Sequence, residues 1–134
     1  MDPIERVTCL KVPLDIVPPE QFSSAIHTLL AKETGSHIVL LSLWDLLKAR
    51  KNNEYRSYVL NADLVIPISK SILGGCRFLT GKTPYRYMPF DFTVRLLHTL
   101  EARNHSVYLL GASRRSLQTA ERNLRQTFPG LRIV

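Results

Sequence analysis

The sequence predicts an α/β domain with a Rossmann-like, mostly parallel sheet and helices on both of its faces. Short apolar runs of the buried-strand type alternate with segments in which apolar residues recur at helical spacing. The length of 134 residues suits a single domain, over 1–134, with a core of its own. Hydrophobic residues make up 45% and charged residues 22%, which is typical of a globular chain.

The first half of the chain contains three predicted helices and two predicted strands. They are a helix at 18–33, a strand at 37–43, helices at 44–51 and 54–61, and a strand at 62–67. Pro18 and Pro19 suit the start of the first helix, and Gly35 suits its end. The two short helices are separated by Asn52 and Asn53, and Pro67 closes the second strand.

The second half continues the alternation. We predict helices at 69–81 and 90–103, a strand at 106–111, a helix at 113–128 and a strand at 131–134. The residues expected to face inward are Phe90, Val94, Leu97 and Leu100 in one helix, and Leu117, Ala120, Leu124 and Phe128 in the other. Ligands of such sheets bind at the carboxyl ends of the strands, so the loops of interest follow Leu43, Pro67 and Gly111.

Composition narrows the class of protein. No apolar run approaches the ~20 residues of a membrane span. Residues 1–20 lack the apolar region of a signal peptide, so we expect a cytoplasmic protein. Cys9 and Cys76 lie far apart in apolar surroundings, which favours buried free thiols over a disulfide or a metal site.

The net charge is +7 with a sequence pI near 9.8. This charge favours an anionic partner: nucleic acid, the phosphates of a nucleotide-sugar, or the acidic face of a membrane. Arginine and lysine are spread over several segments and form no dense basic run, so we do not expect nucleic acid.

Residues 81–83, Gly-Lys-Thr, resemble the end of a phosphate-binding loop. The full motif needs a glycine five residues before Gly81, and that position is Cys76. Pro84 follows at once, and the preceding residues are helical in pattern. We therefore expect Lys82 at a junction between a helix and a loop.

The turn after the strand at 106–111 is better placed for a phosphate. Ser113 is a plausible N-cap, and Arg114 and Arg115 lie where the helix dipole disfavours cations unless an anion is bound. We name Gly111, Ser113 and Arg114 as candidate nucleotide-binding residues. The alternative is that the two arginines are simply solvated.

The candidate catalytic carboxylates are few. Asp45 follows a strand, and Asp91 begins a helix, where it also suits the helix dipole. The four histidines are scattered and form no His/Asp/Ser arrangement. Trp44 suits stacking on a base or sugar, although a lone tryptophan after a buried strand is more typical of a core.

Several segments together resemble the WecB/TagA/CpsF glycosyltransferases (glycosyltransferase family 26). They are VPLDIVPPEQFSSAI at 12–26, HIVLLS at 37–42, EYRSYVLNADLVIP at 54–67, YRYMPFDF at 85–92 and VYLLGASRRSLQTAERNLRQTFPGLRIV at 107–134. The last is the most specific, because it combines a strand, Leu-Leu-Gly, a helix and a [FY]-P-G-[LV]-x-I-V ending. The resemblance covers nearly the whole chain.

The resemblance implies a donor, an acceptor and a setting. Members transfer N-acetylmannosamine or a related sugar from a UDP-sugar to a polyprenyl-diphosphate-linked sugar, in the synthesis of teichoic acids and other cell-surface polysaccharides. They use an acidic general base and neither a metal nor a further cofactor. A peripheral contact with the inner face of the membrane follows from the lipid acceptor, and a homo-oligomer stays open.

The match departs from the family at the residues that carry the chemistry. The family's T-x-N after the first parallel strand is here Leu41 and Leu43, which offer a sugar no hydrogen bonds. Its D-G, whose aspartate is the proposed base, is Ile68 and Ser69, and an isoleucine cannot accept a proton. Its E-R-V-x-G-x-D corresponds to 85–91, where Arg86 is retained and can pair with a diphosphate.

The family's G-x-P-K-Q-E motif does not occur in this sequence. The resemblance therefore predicts a sheet truncated relative to the family domain, with an exposed edge after Val134.

Three hypotheses about the function follow. The chain is a degenerate glycosyltransferase of weak or no activity; or a non-catalytic module for a nucleotide-sugar, a lipid diphosphate or a protein partner at the sheet edge; or an active enzyme whose base is Asp45 or Asp91.

Overall fold

A computed structural model describes residues 3–134 and confirms the α/β class. The described residues form six strands and six helices. The strands are β1 (Glu5–Cys9), β2 (Val12–Ile16), β3 (Ile38–Leu41), β4 (Leu64–Pro67), β5 (Ser106–Val107) and β6 (Arg132–Ile133); the helices are α1 (Pro19–Leu30), α2 (Leu43–Lys51), α3 (Asn53–Leu60), α4 (Lys70–Thr80), α5 (Pro89–Ala102) and α6 (Arg114–Thr127).

The strands form three two-stranded pairs. Strands β1 and β2 are antiparallel, whereas β3 and β4 are parallel, as are β5 and β6. The chain divides into two compact units, the first ending at Pro89 and the second running from Phe90 to Val134. The single domain over 1–134 stays a prediction.

The β1–β2 hairpin was not predicted from the sequence. Its two turn residues, Leu10 and Lys11, both have positive φ angles, of 51° and 67°. Such a turn matches the twist of the strands but usually carries Asn-Gly or Asp-Gly. Because Leu-Lys is not a turn signal, local sequence gave no sign of the hairpin.

An ion pair joins the hairpin to the parallel strands of the first unit. Asp15 is buried, with 2% of its surface exposed. Its carboxylate accepts hydrogen bonds from Arg6 Nε at 2.8 Å, from Arg6 Nη2 at 2.9 Å and from the backbone N–H of Val65 at 2.7 Å. Arg6 Nη2 also donates to the carbonyl of Ala62 at 2.9 Å. Asp15 therefore binds β2 to both β1 and β4.

The main apolar core of the first unit lies between strands and helices. Its residues come from β1, β2, β3, β4, α2, α3 and α4, and include Val12, Leu14, Leu41, Leu46, Val59, Val65, Ile72 and Cys76. Alternate residues of β2 (Val12 and Leu14) contribute to it, as a period of two along a strand requires. Cys9 and Cys76 are both buried free thiols, as predicted.

The second unit packs α5, β5, α6 and β6 around Leu97, Phe128 and Leu131. Three predicted inward residues are wrong, because Phe90, Val94 and Ala120 are exposed. The buried aromatic residue of α5 is Phe92. Strand β5 is also shorter than the predicted 106–111, since only Ser106 and Val107 pair with β6.

No helix in the described part of the chain is both long enough and apolar enough to cross a membrane.

Candidate functional site

The candidate site of the first unit lies where β3 and β4 end. The backbone N–H of Ile68 donates to the carbonyl of Leu41 at 3.0 Å, which extends the parallel ladder by one residue. Ser69 Oγ then accepts a hydrogen bond from the backbone N–H of Leu43 at 3.0 Å. These two contacts hold the start of α2 against the β4–α4 junction, at the edge where parallel sheets bind ligands.

A capping box fixes the first turn of α2. Ser42 Oγ accepts from the backbone N–H of Asp45 at 3.2 Å, and Asp45 Oδ2 accepts from the Ser42 backbone N–H at 3.1 Å and from Ser42 Oγ at 2.7 Å. The reciprocal bonds satisfy N–H groups that an uncapped helix leaves without partners. The Asp45 carboxylate is thus directed back onto its own helix terminus.

Aromatic residues of α3 lie beside Asp45. Burial raises the pKa of the Tyr55 hydroxyl, and the nearby Asp45 carboxylate raises it further. Lys48 Nζ lies 4.5 Å from the centre of the Tyr55 ring, within cation–π range. This grouping holds α2 against α3, so the surroundings of Asp45 serve the packing of the two helices.

The segment that carries Arg86 is fastened to the same end of the sheet. The backbone N–H of Tyr87 approaches the carbonyl of Pro67 at 3.4 Å, and its buried hydroxyl donates to the carbonyl of Val17 at 2.8 Å. The Tyr87 ring lies 5.6 Å from that of Phe22. Arg86, next to this anchor, is half-buried beside the carboxyl end of β4.

Trp44 is the residue at this edge that sequence reasoning judged least well. A core position is typical for such a tryptophan, yet its side chain is 80% exposed. It is the second residue of α2, directly after Leu43, whose N–H binds Ser69. The helix buries Leu46 and Ala49 instead, and the helical repeat turns Trp44 outward.

The second unit holds the other predicted nucleotide-binding residues. Gly111 and Ala112 have φ angles of 122° and 59°. Ser113 is the N-cap of α6 as predicted, since its Oγ accepts from the backbone N–H of Ser116 at 3.3 Å. Gly111, Ser113 and Arg114 therefore lie on one exposed turn at the start of the helix.

Asp91 lies in the first turn of α5 and is exposed. A carboxylate there stabilises the helix through its dipole.

The Gly-Lys-Thr segment is a helix end, as predicted. Gly81 caps α4 with a φ of 75°, and its N–H donates to the carbonyl of Arg77 at 2.9 Å. Lys82 forms an ion pair with Glu5. Within residues 3–134, no three His, Cys, Asp or Glu side chains are grouped so as to hold a metal ion.

The other shifted pKa values belong to residues away from these edges. Hydrogen bonding to Asp15 raises the pKa of Arg6, and burial raises the pKa of Cys9. The pKa of Asp63 is lowered, first by Lys32 and then by the backbone N–H of His37, which donates to Oδ2 at 2.8 Å. Each shift has a structural cause, and none marks a catalytic acid or base.

The chain matches a known protein family over nearly its whole length. The family model described as "Glycosyl transferase WecG/TagA/CpsF family" matches residues 7–134. No curated protein matches the chain. The match includes every described strand except the first two residues of β1, and it spans both candidate sites.

Proposed function

Because this chain belongs to the WecG/TagA/CpsF glycosyl transferase family, we propose that it binds a UDP-sugar where β3 and β4 end but transfers the sugar weakly or not at all. Membership supports a glycosyltransferase-like function and a nucleotide-sugar substrate in general. The donor sugar, N-acetylmannosamine, and the polyprenyl-diphosphate-linked acceptor are parts of the proposal.

The observation that carries the loss of activity is Ile68. It directly follows β4, and its backbone N–H donates to the carbonyl of Leu41, so Ile68 lies at the carboxyl edge of the parallel strands. An aliphatic side chain there cannot take a proton from an acceptor hydroxyl. The neighbouring candidate, Asp45, is the third residue of α2, and its carboxylate already accepts two hydrogen bonds, from the backbone N–H and from Oγ of Ser42.

Two features support diphosphate binding at this edge: the positive charge of Arg86 and the N-terminus of a helix. Arg86 lies beside the end of β4, and its guanidinium suits two parallel hydrogen bonds to phosphate oxygens. Helix α4 begins at this edge, where its N-terminal dipole favours an anion, whereas the start of α2 already carries the Asp45 carboxylate. The first turn of α4 contains no acidic residue that would oppose the ligand.

The first test measures turnover. Purified protein is incubated with UDP-N-acetylmannosamine and the lipid-linked acceptor, and released UDP is quantified. We expect little release from the native chain and at least a ten-fold increase for Ile68→Asp, because a positioned general base contributes roughly 10²–10⁴-fold. Ile68→Asn is the matched control, since it is similar in size and polarity but is not a base.

Turnover by the native chain that is lost in Asp45→Ala or Asp91→Asn would overturn the proposal. It would show an active enzyme with a displaced base.

The second test measures binding by calorimetry. We expect UDP to bind and Arg86→Ala to weaken its affinity about ten-fold, which corresponds to the loss of a charge-assisted hydrogen bond of about 1.5 kcal/mol. Arg77→Ala, which removes an exposed arginine of α4, is the control and should change nothing. No heat of binding at millimolar UDP, with no rise in melting temperature, would remove nucleotide binding.

A second candidate function is binding of a protein partner through an exposed edge of the sheet. The observation that favours it is in the second unit, where Tyr108, Leu110 and Val134 are all more than two-thirds exposed. Light scattering across a range of concentrations tests pairing between copies. A constant monomer mass would leave only unlike partners for this candidate.

A further inference from the structure

Trp44 lies in a hydrogen-bonded turn at the candidate site, and its side chain is largely exposed. Its exposed fraction, 80%, exceeds that of every other large apolar residue of α2 and α3. The turn beneath it is fixed by the Ser42–Asp45 capping box and by the bond from Leu43 N–H to Ser69 Oγ at 3.0 Å. The backbone that carries the indole is therefore fixed by hydrogen bonds on both sides.

The position of Trp44 distinguishes it from ordinary exposed apolar residues. Single apolar side chains on a surface need no explanation. Trp44, however, lies in the first turn after β3, and its neighbour Leu43 touches the residue that follows Ile68 after β4. In α/β proteins this is the edge at which ligands bind. Phe78 is also strongly exposed, at 88%, but it lies in the last turn of α4, at the end of that helix away from the candidate site.

The side chains next to Trp44 in the chain and at the junction bonded to its turn are aliphatic or already hydrogen-bonded within the protein. Leu43 and Ile68 are aliphatic, and the polar groups of Ser42, Asp45 and Ser69 are bound to the protein. A site of this composition recognises a ring by stacking, because a π-face offers contact area without donors or acceptors.

We propose that Trp44 is the stacking platform for the nucleobase of the nucleotide-sugar. The inference rests on the proposed function, since it assigns a role within the same site. Arg86 and the N-terminus of α4 take the diphosphate, and the indole takes the base. Stacking of this kind contributes to affinity and tolerates different bases, since every base has a π-face.

The chain offers a direct probe, because Trp44 is its only tryptophan. Its fluorescence is followed while uridine, UMP, UDP and inorganic pyrophosphate are titrated separately. We expect quenching by the three ligands that carry a base, and none by pyrophosphate even where calorimetry shows that it binds. A signal from N-acetylmannosamine alone, with none from uridine nucleotides, would assign the indole to the sugar ring and overturn the inference.

Variants give the energetic test by calorimetry. We expect Trp44→Ala to weaken UDP binding about ten-fold and to leave pyrophosphate binding unchanged, whereas Trp44→Phe retains most of the affinity. Phe78→Ala is the matched control, because it removes an equally exposed ring from the far end of α4. The melting temperature of each variant verifies that it is folded, and Trp44→Phe keeps the test open if the alanine variant is not.

The outcomes separate this inference from the function on which it rests. UDP binding by calorimetry with no change in Trp44 fluorescence, and with full affinity in Trp44→Ala, would overturn the role of Trp44 alone. No UDP binding by either method would overturn both. Quenching together with a selective loss of nucleotide affinity in Trp44→Ala supports the inference.

Discussion

At the scale of single residues, the buried charge of Asp15 matters most to the first unit. One carboxylate serves two nitrogens of Arg6 and the N–H of Val65, so three strands depend on it. A buried carboxylate is tolerated when it is paired and fully hydrogen-bonded, but removing it leaves its partners unsatisfied. The same reasoning explains why an aspartate occurs inside an otherwise apolar strand.

We predict that Asp15→Ala destabilises the protein by about 3 kcal/mol, because it leaves the backbone N–H of Val65 and the Arg6 guanidinium without their acceptor. Urea unfolding followed by circular dichroism measures this loss. Glu5→Ala, which breaks the solvent-exposed pair with Lys82 on the same hairpin, is the control and should cost under about 1 kcal/mol. Equal effects of the two variants would contradict the structural role of Asp15.

At the scale of elements, the caps decide where the short helices begin. Ser42, Asn52 and Ser113 each accept a hydrogen bond from a backbone N–H in the first turn of the helix that follows. Asn52 is both the C-cap of α2 and the N-cap of α3. Its own N–H donates to the carbonyl of Lys48 at 2.8 Å at the end of α2. Its Oδ1 accepts from the N–H of Tyr55 at 2.9 Å at the start of α3. One residue thus separates two helices.

We predict that Asn52→Ala costs about 1 kcal/mol of stability, the usual effect of removing an N-cap acceptor. The stability of Asn52→Asp should differ from that of the native protein by only a few tenths of about 1 kcal/mol, because aspartate is also a good N-cap residue. Thermal unfolding of the three proteins measures the difference. An aspartate variant as unstable as the alanine variant would show that the cap bond is not the cause.

At the scale of the whole molecule, the open question is whether the chain folds as one. The sequence predicts a single domain, and the structure has two compact units, each with buried apolar residues. The backbone amides of Leu46 and Val65 belong to the first unit, and those of Leu97 and Phe128 belong to the second. The two sets of probes therefore report on different parts of the chain.

We predict that both units unfold at the same denaturant concentration, as a single cooperative domain does. Hydrogen exchange at Leu46 and Val65 gives the midpoint of the first unit. Hydrogen exchange at Leu97 and Phe128, measured across the same urea series, gives that of the second. Loss of protection in the second unit at clearly lower urea would show two separately folding units.

Much of the fold could be predicted because helices and buried strands leave local signals. All six helices lie where apolar spacing and end residues place them, as do the parallel strands. Strand β5 is shorter than its apolar run, because pairing with β6 decides its length. Phe90 also shows the limit of spacing, since it shares the helical repeat of Leu97 and still points outward. Burial depends on what packs opposite, and one sequence does not contain that information.

The candidate site divides in the same way. The sequence by itself determined the family, the order of strands and helices, and the presence of an aliphatic residue, Ile68, directly after the second parallel strand, because these follow from which residues occupy which places along the chain. Only the tertiary structure decided that a Leu-Lys turn closes a hairpin, that Asp15 bonds across three strands and that Trp44 faces solvent. These properties depend on contacts between residues distant in sequence and on how a turn is oriented, and neither has a local signature.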